Sequence, residues 1–307
     1  LTLLAEKVFS FFRGKPFGGP YEKIYSDTLT ILNSEGDHRS LLLLASELKD
    51  RGKTGEEASR LFAALPSRNP ELFIPVMLDF LKDPSFQRFS DLCKAFLKFP
   101  VNSFVSDILS LLNDTDNKIH RKTKIECVKL LAELKLPCCV LMILEKLHLM
   151  PLDEAKQIVH ILSASQGDNF EQHGLYLLHS TDAQNRSALI SALPASGRKT
   201  FLPLLRKALT DPDPRVRSAA AWSLADFGEP KLVSLLSPLL RDQAEDVRVQ
   251  AASVLAEKGT DQGLEELKKT LFDKNEVDPV KEAVINGLGA SGDISSVDLL
   301  MEKLAED

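Results

Sequence analysis

Asp211-Pro212-Asp213-Pro214-Arg215-Val216-Arg217-Ser218-Ala219-Ala220-Ala221-Trp222-Ser223-Leu224-Ala225-Asp226-Phe227-Gly228 decides the architecture, because the frame of this stretch recurs along the last third of the chain. Val216, Ala220, Leu224 and Gly228 fall on Val247, Ala251, Leu255 and Gly259 at a constant offset of 31. Val280, Val284, Leu288 and Gly292 follow at an offset of 33, and Asn185, Leu189, Leu193 and Gly197 precede at 31. A second half keeps the same register through Leu205, Leu236, Leu267 and Leu300, then Leu209, Leu240, Leu271 and Leu304. Two apolar helices per unit at such a period mark an α-solenoid.

The unit's internal punctuation agrees. Asp213-Pro214 and Asp278-Pro279 place an N-cap carboxylate before a first-turn proline, whose missing N–H is no loss there. Gly197, Gly228, Gly259 and Gly292 close the first helix, where a left-handed residue lets the chain reverse. Ala219, Ala220, Ala221, Ala251 and Ala252 sit mid-helix and let neighbouring first helices approach closely.

On these residues the stretch 211–228 resembles a HEAT repeat of the subtype first noted in phycobilisome lyases, with fainter copies at 242–259 and 275–292. The resemblance covers roughly 120 residues. It implies an all-α, right-handed α-solenoid of stacked antiparallel hairpins that serves as an interaction scaffold. The subtype's name does not itself imply lyase activity.

Working outward, residues 181–307 are the regular repeats and 21–180 are irregular hairpins. One piece of the latter, Ala45, Leu48, Gly52, Glu57-Ala58, Leu61-Phe62, Leu65 and Asn69-Pro70, faintly resembles a tetratricopeptide hairpin. Residues 1–20 form an amphipathic helix, Leu1 to Phe12, followed by a Gly/Pro-rich hinge at 14–20. Leu1 is not Met, which leaves room for a further domain or leader beyond either terminus.

Composition narrows the function classes. The net charge of −6 argues against a general nucleic-acid binder. From residue 201 onward, 13 Lys plus Arg face 20 Asp plus Glu, a balance of −7, so the repeat end is acidic. No run of apolar residues is long enough to span a bilayer. Cys93, Cys127, Cys138 and Cys139 lack CxxC spacing and read as reduced core thiols of a cytoplasmic protein.

Chemistry-bearing motifs are few. Gly52-Lys53-Thr54 has the tail of a phosphate-binding loop, but Glu47 stands where that loop needs Gly. No two histidines are four apart, and His148 and His160 stand alone on apolar helices, so no metal site is expected. Lys118, His120, Arg121, Lys122 and Lys124 form one basic cluster without interleaved aromatics, read as a solvated helix start. No nucleophile–base pair or Gly-rich cradle stands out, so no catalytic residue and no cofactor is assigned.

Two sets of residues are singled out. Asp211, Arg217, Asp242, Arg248, Asp273 and Lys281 recur in register and are expected to form a structural ladder between units. Lys231, Ser234, Arg241, Glu265, Lys268, Lys269, Asp298 and Glu302 remain on the second helices outside the Leu stripe, an expected concave strip for an unidentified protein partner. Trp222, the one tryptophan, is read as a packing residue facing the next unit. The alternative functions are a bilin lyase or isomerase-type subunit and, behind it, a nucleic-acid-binding solenoid. Leu299 and Met301 exceed the buried stripe of the final helix, which predicts an uncapped docking edge.

Overall fold

The computed structural model describes residues 1–12, 22–51, 55–83, 86, 88–112, 121–258, 260–291, 297–298 and 300–302. Among them every regular element is a helix, with no strand. The expected hinge at 14–20, Gly52-Lys53-Thr54, Lys118, His120, Gly259, Gly292, Leu299 and Leu304 lie outside the described residues. The chain divides into two compact units, Leu1–Cys139 and Val140–Asp307.

The first unit runs through α1 (Thr2–Phe12), α2 (Glu22–Glu35), α3 (His38–Arg51), α4 (Gly55–Ala64), α5 (Pro70–Lys82), α6 (Phe89–Phe96), α7 (Val105–Leu112) and α8 (Arg121–Glu133). From α1 to α6 each helix packs on the one two further along, which is how stacked hairpins bury an apolar stripe. Phenylalanine fills this core. Phe12 meets Tyr25 edge-on at 5.1 Å, and Phe80 stacks on Phe86 at 5.2 Å while Phe62 meets both edge-on. Lys98 Nζ donates to the carbonyls of Phe62 and Ala63 at 3.2 and 2.5 Å, a cation set at the negative end of α4. Asp83 closes α5 through its N–H to the Phe80 carbonyl, and α6 starts at Phe89.

The division between units falls inside α9 (Pro137–Leu144). The second unit continues with α10 (Leu152–Leu178), α11 (Ala183–Ala192), α12 (Leu202–Ala208), α13 (Pro214–Asp226), α14 (Leu232–Leu236), α15 (Glu245–Lys258), α16 (Asp261–Leu271) and α17 (Asp278–Ser291). The first helices α11, α13, α15 and α17 pack in sequence as one layer. Val216, Ala220, Leu224, Val247, Ala251, Leu255, Val280 and Val284 are all fully buried in it. At about 1.5–3 kcal/mol for each large side chain, this frame is the main source of the unit's stability. Asn185 breaks it: its Oδ1 is buried without a hydrogen bond where the later copies hold Val.

Gly197 and Gly228 adopt φ of 65° and 67°, the left-handed geometry that ends their helices. The frame also reaches further back than the sequence pattern shows. α10 breaks at Gly167, whose φ of 43° and ψ of −107° are not helical, so Leu152–Gln166 and Asp168–Leu178 form one more hairpin. Arg198 clasps that break, donating to the Ser163 carbonyl at 3.0 Å and to Glu171 at 3.2 Å. Ile158 and Leu162, one period ahead of Leu189 and Leu193, are fully buried. Past α17, residues 297–298 and 300–302 are helical, with Val297 and Met301 more than half exposed.

Candidate functional site

Close approach of the first helices comes from small side chains. Ser223 sits fully buried and donates to the Ile190 carbonyl of the preceding first helix at 2.7 Å. At the equivalent place in α17, a Cβ on Gly287 would collide with Ala256. With that seam closed, the outward positions of the same helices form a furrow.

The furrow consists of two cavities. One, of about 610 Å³, lies across α11, α13 and α15 and is walled at its far end by Leu147, Met150 and Leu152. The other, of about 570 Å³, lies across α13, α15 and α17. Trp222 lines both, half-buried, and stands at the repeat position that holds Ser191, Ser253 and Asn286 in the other copies. The repeat therefore does not need a large ring there. Trp222 lines an open furrow together with residues of α15, the first helix of the next unit.

Polar groups along the furrow are lopsided. Ser187, Ser191 and Ser253 donate their hydroxyl protons back to their own helices at 3.1, 2.9 and 2.9 Å, leaving oxygen lone pairs. Asp246, Glu257 and Glu282 add carboxylates, all exposed. The cationic Arg215 is forked onto Asp213 at 3.1 and 2.8 Å. That fork, joined by the Arg215 N–H at 2.9 Å, holds the Asp213 carboxyl down at about 2. The furrow is rich in acceptors and acidic.

The charged residues that recur in register are placed as follows. Arg217 forks onto Asp242 of the next unit at 2.8 and 2.6 Å and sends Nη1 to the Asp211 carbonyl at 2.8 Å. Burial alone would raise the Asp242 carboxyl, but the bonds from Arg217 and the Ala244 N–H outweigh it and hold it below its ordinary range. Arg248 repeats the backbone contact with the Asp242 carbonyl at 2.9 Å, yet its carboxylate partner is Glu276 at 3.0 Å. Asp273 instead accepts the Asn275 N–H at 2.9 Å, and Lys281 lies half-buried. Ahead of them Arg186 forks onto Asp211 at 3.1 and 2.8 Å. Sequence reading passed over Arg186 and Glu276, although Arg186 stands one 31-residue step before Arg217.

On the second helices and their flanks, Lys231, Ser234, Arg241, Glu265, Lys269, Asp298 and Glu302 are exposed and Lys268 half-exposed. Lys268 meets Glu302 at 2.9 Å and Lys269 meets Glu266 at 2.8 Å. Six of these eight residues, Lys231, Ser234, Glu265, Lys268, Asp298 and Glu302, line none of the described cavities; Arg241 and Lys269 line a smaller one around Arg248. The basic cluster is altered by folding: Lys124 is 6% exposed, turned into the core of the first unit. Cys93, Cys127 and Cys139 are buried, and burial pushes the Cys93 and Cys127 thiols up to about 12. Among the described residues no cluster of His, Cys, Asp or Glu could hold a metal ion, and no helix is long and apolar enough to cross a membrane.

Comparison with known families finds the HEAT repeats matched at residues 174–248 and 234–307. The C-terminal part of the chain is a HEAT-repeat array; the match does not single out the phycobilisome-lyase subtype. Similar solved structures include YibA of Escherichia coli, at 16% identity and a TM-score of 0.37 over 95% of this chain and 93% of that one. A designed armadillo repeat protein is 16% identical, with a TM-score of 0.41 over 71% and 100% of the two chains. A Pds5–Scc1 complex structure is 14% identical, at 0.48 over 94% of this chain and 53% of that one. A comparison with curated proteins finds no match.

Proposed function

We propose that the second unit is a protein-binding scaffold and that its contact surface is the furrow along α11, α13, α15 and α17. The observation that carries this reading is the pair of cavities on these helices that share Trp222 as a lining residue. A partly exposed tryptophan among small side chains offers a large, stiff contact area, the kind of anchor that dominates protein interfaces. Of the second-helix residues from Lys231 to Glu302, only Arg241 and Lys269 border a cavity, a small one, and several are engaged with neighbours on their own side. The bilin reading rests on the subtype resemblance alone, and no observation favours it.

Site-specific photo-cross-linking tests the proposal. A photoreactive residue placed at Ser187 or Gln250 should capture a protein in extracts of the native host, and one placed at Lys231 or Glu265 should not. Capture confined to the second-helix positions would move the surface to that strip. No capture from either set would end the scaffold reading.

A further inference from the structure

The chemistry of the furrow specifies its occupant more closely than "a protein". We propose that it takes an extended, basic peptide segment whose Lys or Arg packs against Trp222 and is neutralised by Asp246 and Glu282; this rests on the furrow being the contact surface.

Three observations converge on that occupant. First, the charged groups of the lining without a cation of their own, Asp246 and Glu282, only accept, and the hydroxyls of Ser187, Ser191 and Ser253 have spent their protons on their own helices. Lys and Arg are the side chains that carry donors and no acceptor. Second, the one cation on the lining, Arg215, is already neutralised by Asp213, so it does not repel another. Third, the only large aromatic of the furrow stands where its acidic portion begins, and an indole is the best aromatic surface for a cation.

Dimensions fit an extended chain rather than a helix. The furrow crosses three helix-to-helix steps of about 8–10 Å each. At about 3.3 Å per residue, roughly eight extended residues span it. The carboxamides of Gln250 and Asn286, on adjacent first helices, can each give and take one hydrogen bond with a peptide unit. At the other end Leu147, Met150 and Leu152 present apolar surface. The matching segment therefore carries an apolar side chain at the α10 end and its cations from Trp222 onward.

A positional-scanning octapeptide library tests this against the whole chain, with affinity of the selected peptide then read from the fluorescence of Trp222, the single tryptophan. Lys and Arg should be enriched over Asp and Glu at adjacent positions, and affinity should fall as salt rises. Trp222→Ser, which installs the residue of the neighbouring copies, should weaken a dye-labelled copy of the peptide by about tenfold. The double substitution Asp246→Lys/Glu282→Lys should abolish the preference for cations. Peptides bound without any preference for Lys or Arg, or with a preference for acidic residues, would overturn the inference and leave the scaffold reading standing. No peptide binding while photo-cross-links still form through Ser187 or Gln250 would overturn it too, in favour of a folded partner. Absence of both would remove the scaffold reading with it.

Discussion

Replacing Arg217 by Met should remove one clasp between consecutive units, and the structure sets how much that is worth. The guanidinium is 14% exposed and the Asp242 carboxylate 10%, joined by bonds of 2.6 and 2.8 Å. A further 2.8 Å bond reaches the Asp211 carbonyl. Breaking a fully buried pair by deleting one partner costs about 3–5 kcal/mol, because a desolvated charge is left behind. Asp242 would keep the Ala244 N–H at 2.9 Å and a little water, so the expected loss is about 2–3 kcal/mol. Arg215→Met is the control: its guanidinium is 57% exposed, and surface pairs contribute at most about 1 kcal/mol. Urea unfolding followed by far-UV circular dichroism reads both. Because the folded Asp242 carboxyl is held below its ordinary 3.8, its contribution is present above that value and lost as pH falls through the lowered one. The gap between wild type and Arg217→Met should therefore narrow as the medium is acidified. Adding Asp242→Asn to Arg217→Met should recover part of the loss. If Arg217→Met destabilises no more than Arg215→Met, the clasp contributes nothing and this account of it is wrong.

Two glycines of α17 should respond in opposite directions to alanine. Gly289→Ala, with nothing within 4 Å of the new Cβ, should stabilise by about 0.5–1 kcal/mol through helix propensity, whereas Gly287→Ala should destabilise by about 1–3 kcal/mol as Ala256 is forced away; thermal melts of the pair check this. Asn185→Val should raise the urea midpoint by removing a buried, unpaired acceptor, a gain of about 1–2 kcal/mol. For Cys93 and Cys127, raised from 9.0 to about 12, the unfolded chain ionises first, so stability should fall as pH climbs from 9 towards 12. A Cys93→Ala/Cys127→Ala variant should lose less over that range, and Cys93 and Cys127 of the native wild type should be labelled by an aromatic disulfide at pH 8, as read by peptide mass mapping, only after denaturant is added.

The hairpin stack was legible because a solenoid is one-dimensional: a period of 31 residues records which side chains meet which, without any long-range folding problem. Val216, Ala220 and Leu224 announce a buried stripe on their own helix. The register of the hairpin at Leu152–Leu178, which falls among the irregular hairpins of 21–180, was obscured because Gly167 stands one residue out of step with Gly197. Lys124 shows a different limit. Within a basic run it reads as solvated, and only packing of α8 reveals that it is turned inward. The furrow was harder still. Its walls, Ser187, Ala219, Gln250 and Ala283, are unremarkable on any single helix, and a concavity exists only once the spacing between helices is known. Which carboxylate meets Arg248 was equally hidden, since the insertion that shifts the last copy to an offset of 33 moves Glu276 into the place Asp242 and Asp211 occupy earlier.

The clasps have a consequence for how such an array changes length. Arg186 meets Asp211 and Arg217 meets Asp242 across the same separation of 25 residues. Cutting out the 31 residues from Arg198 to Gly228 would bring Asp242 to that same distance behind Arg186, and the severed ends would find each other's partner. Duplication of the same block would likewise create a new clasp ready-made. The junction of Arg248 with Glu276 spans 28 residues, and removing the 31 residues 229–259 would leave Arg217 at that same distance from Glu276. Gain and loss of whole 31-residue units by unequal recombination is therefore open along the clasped part of the array.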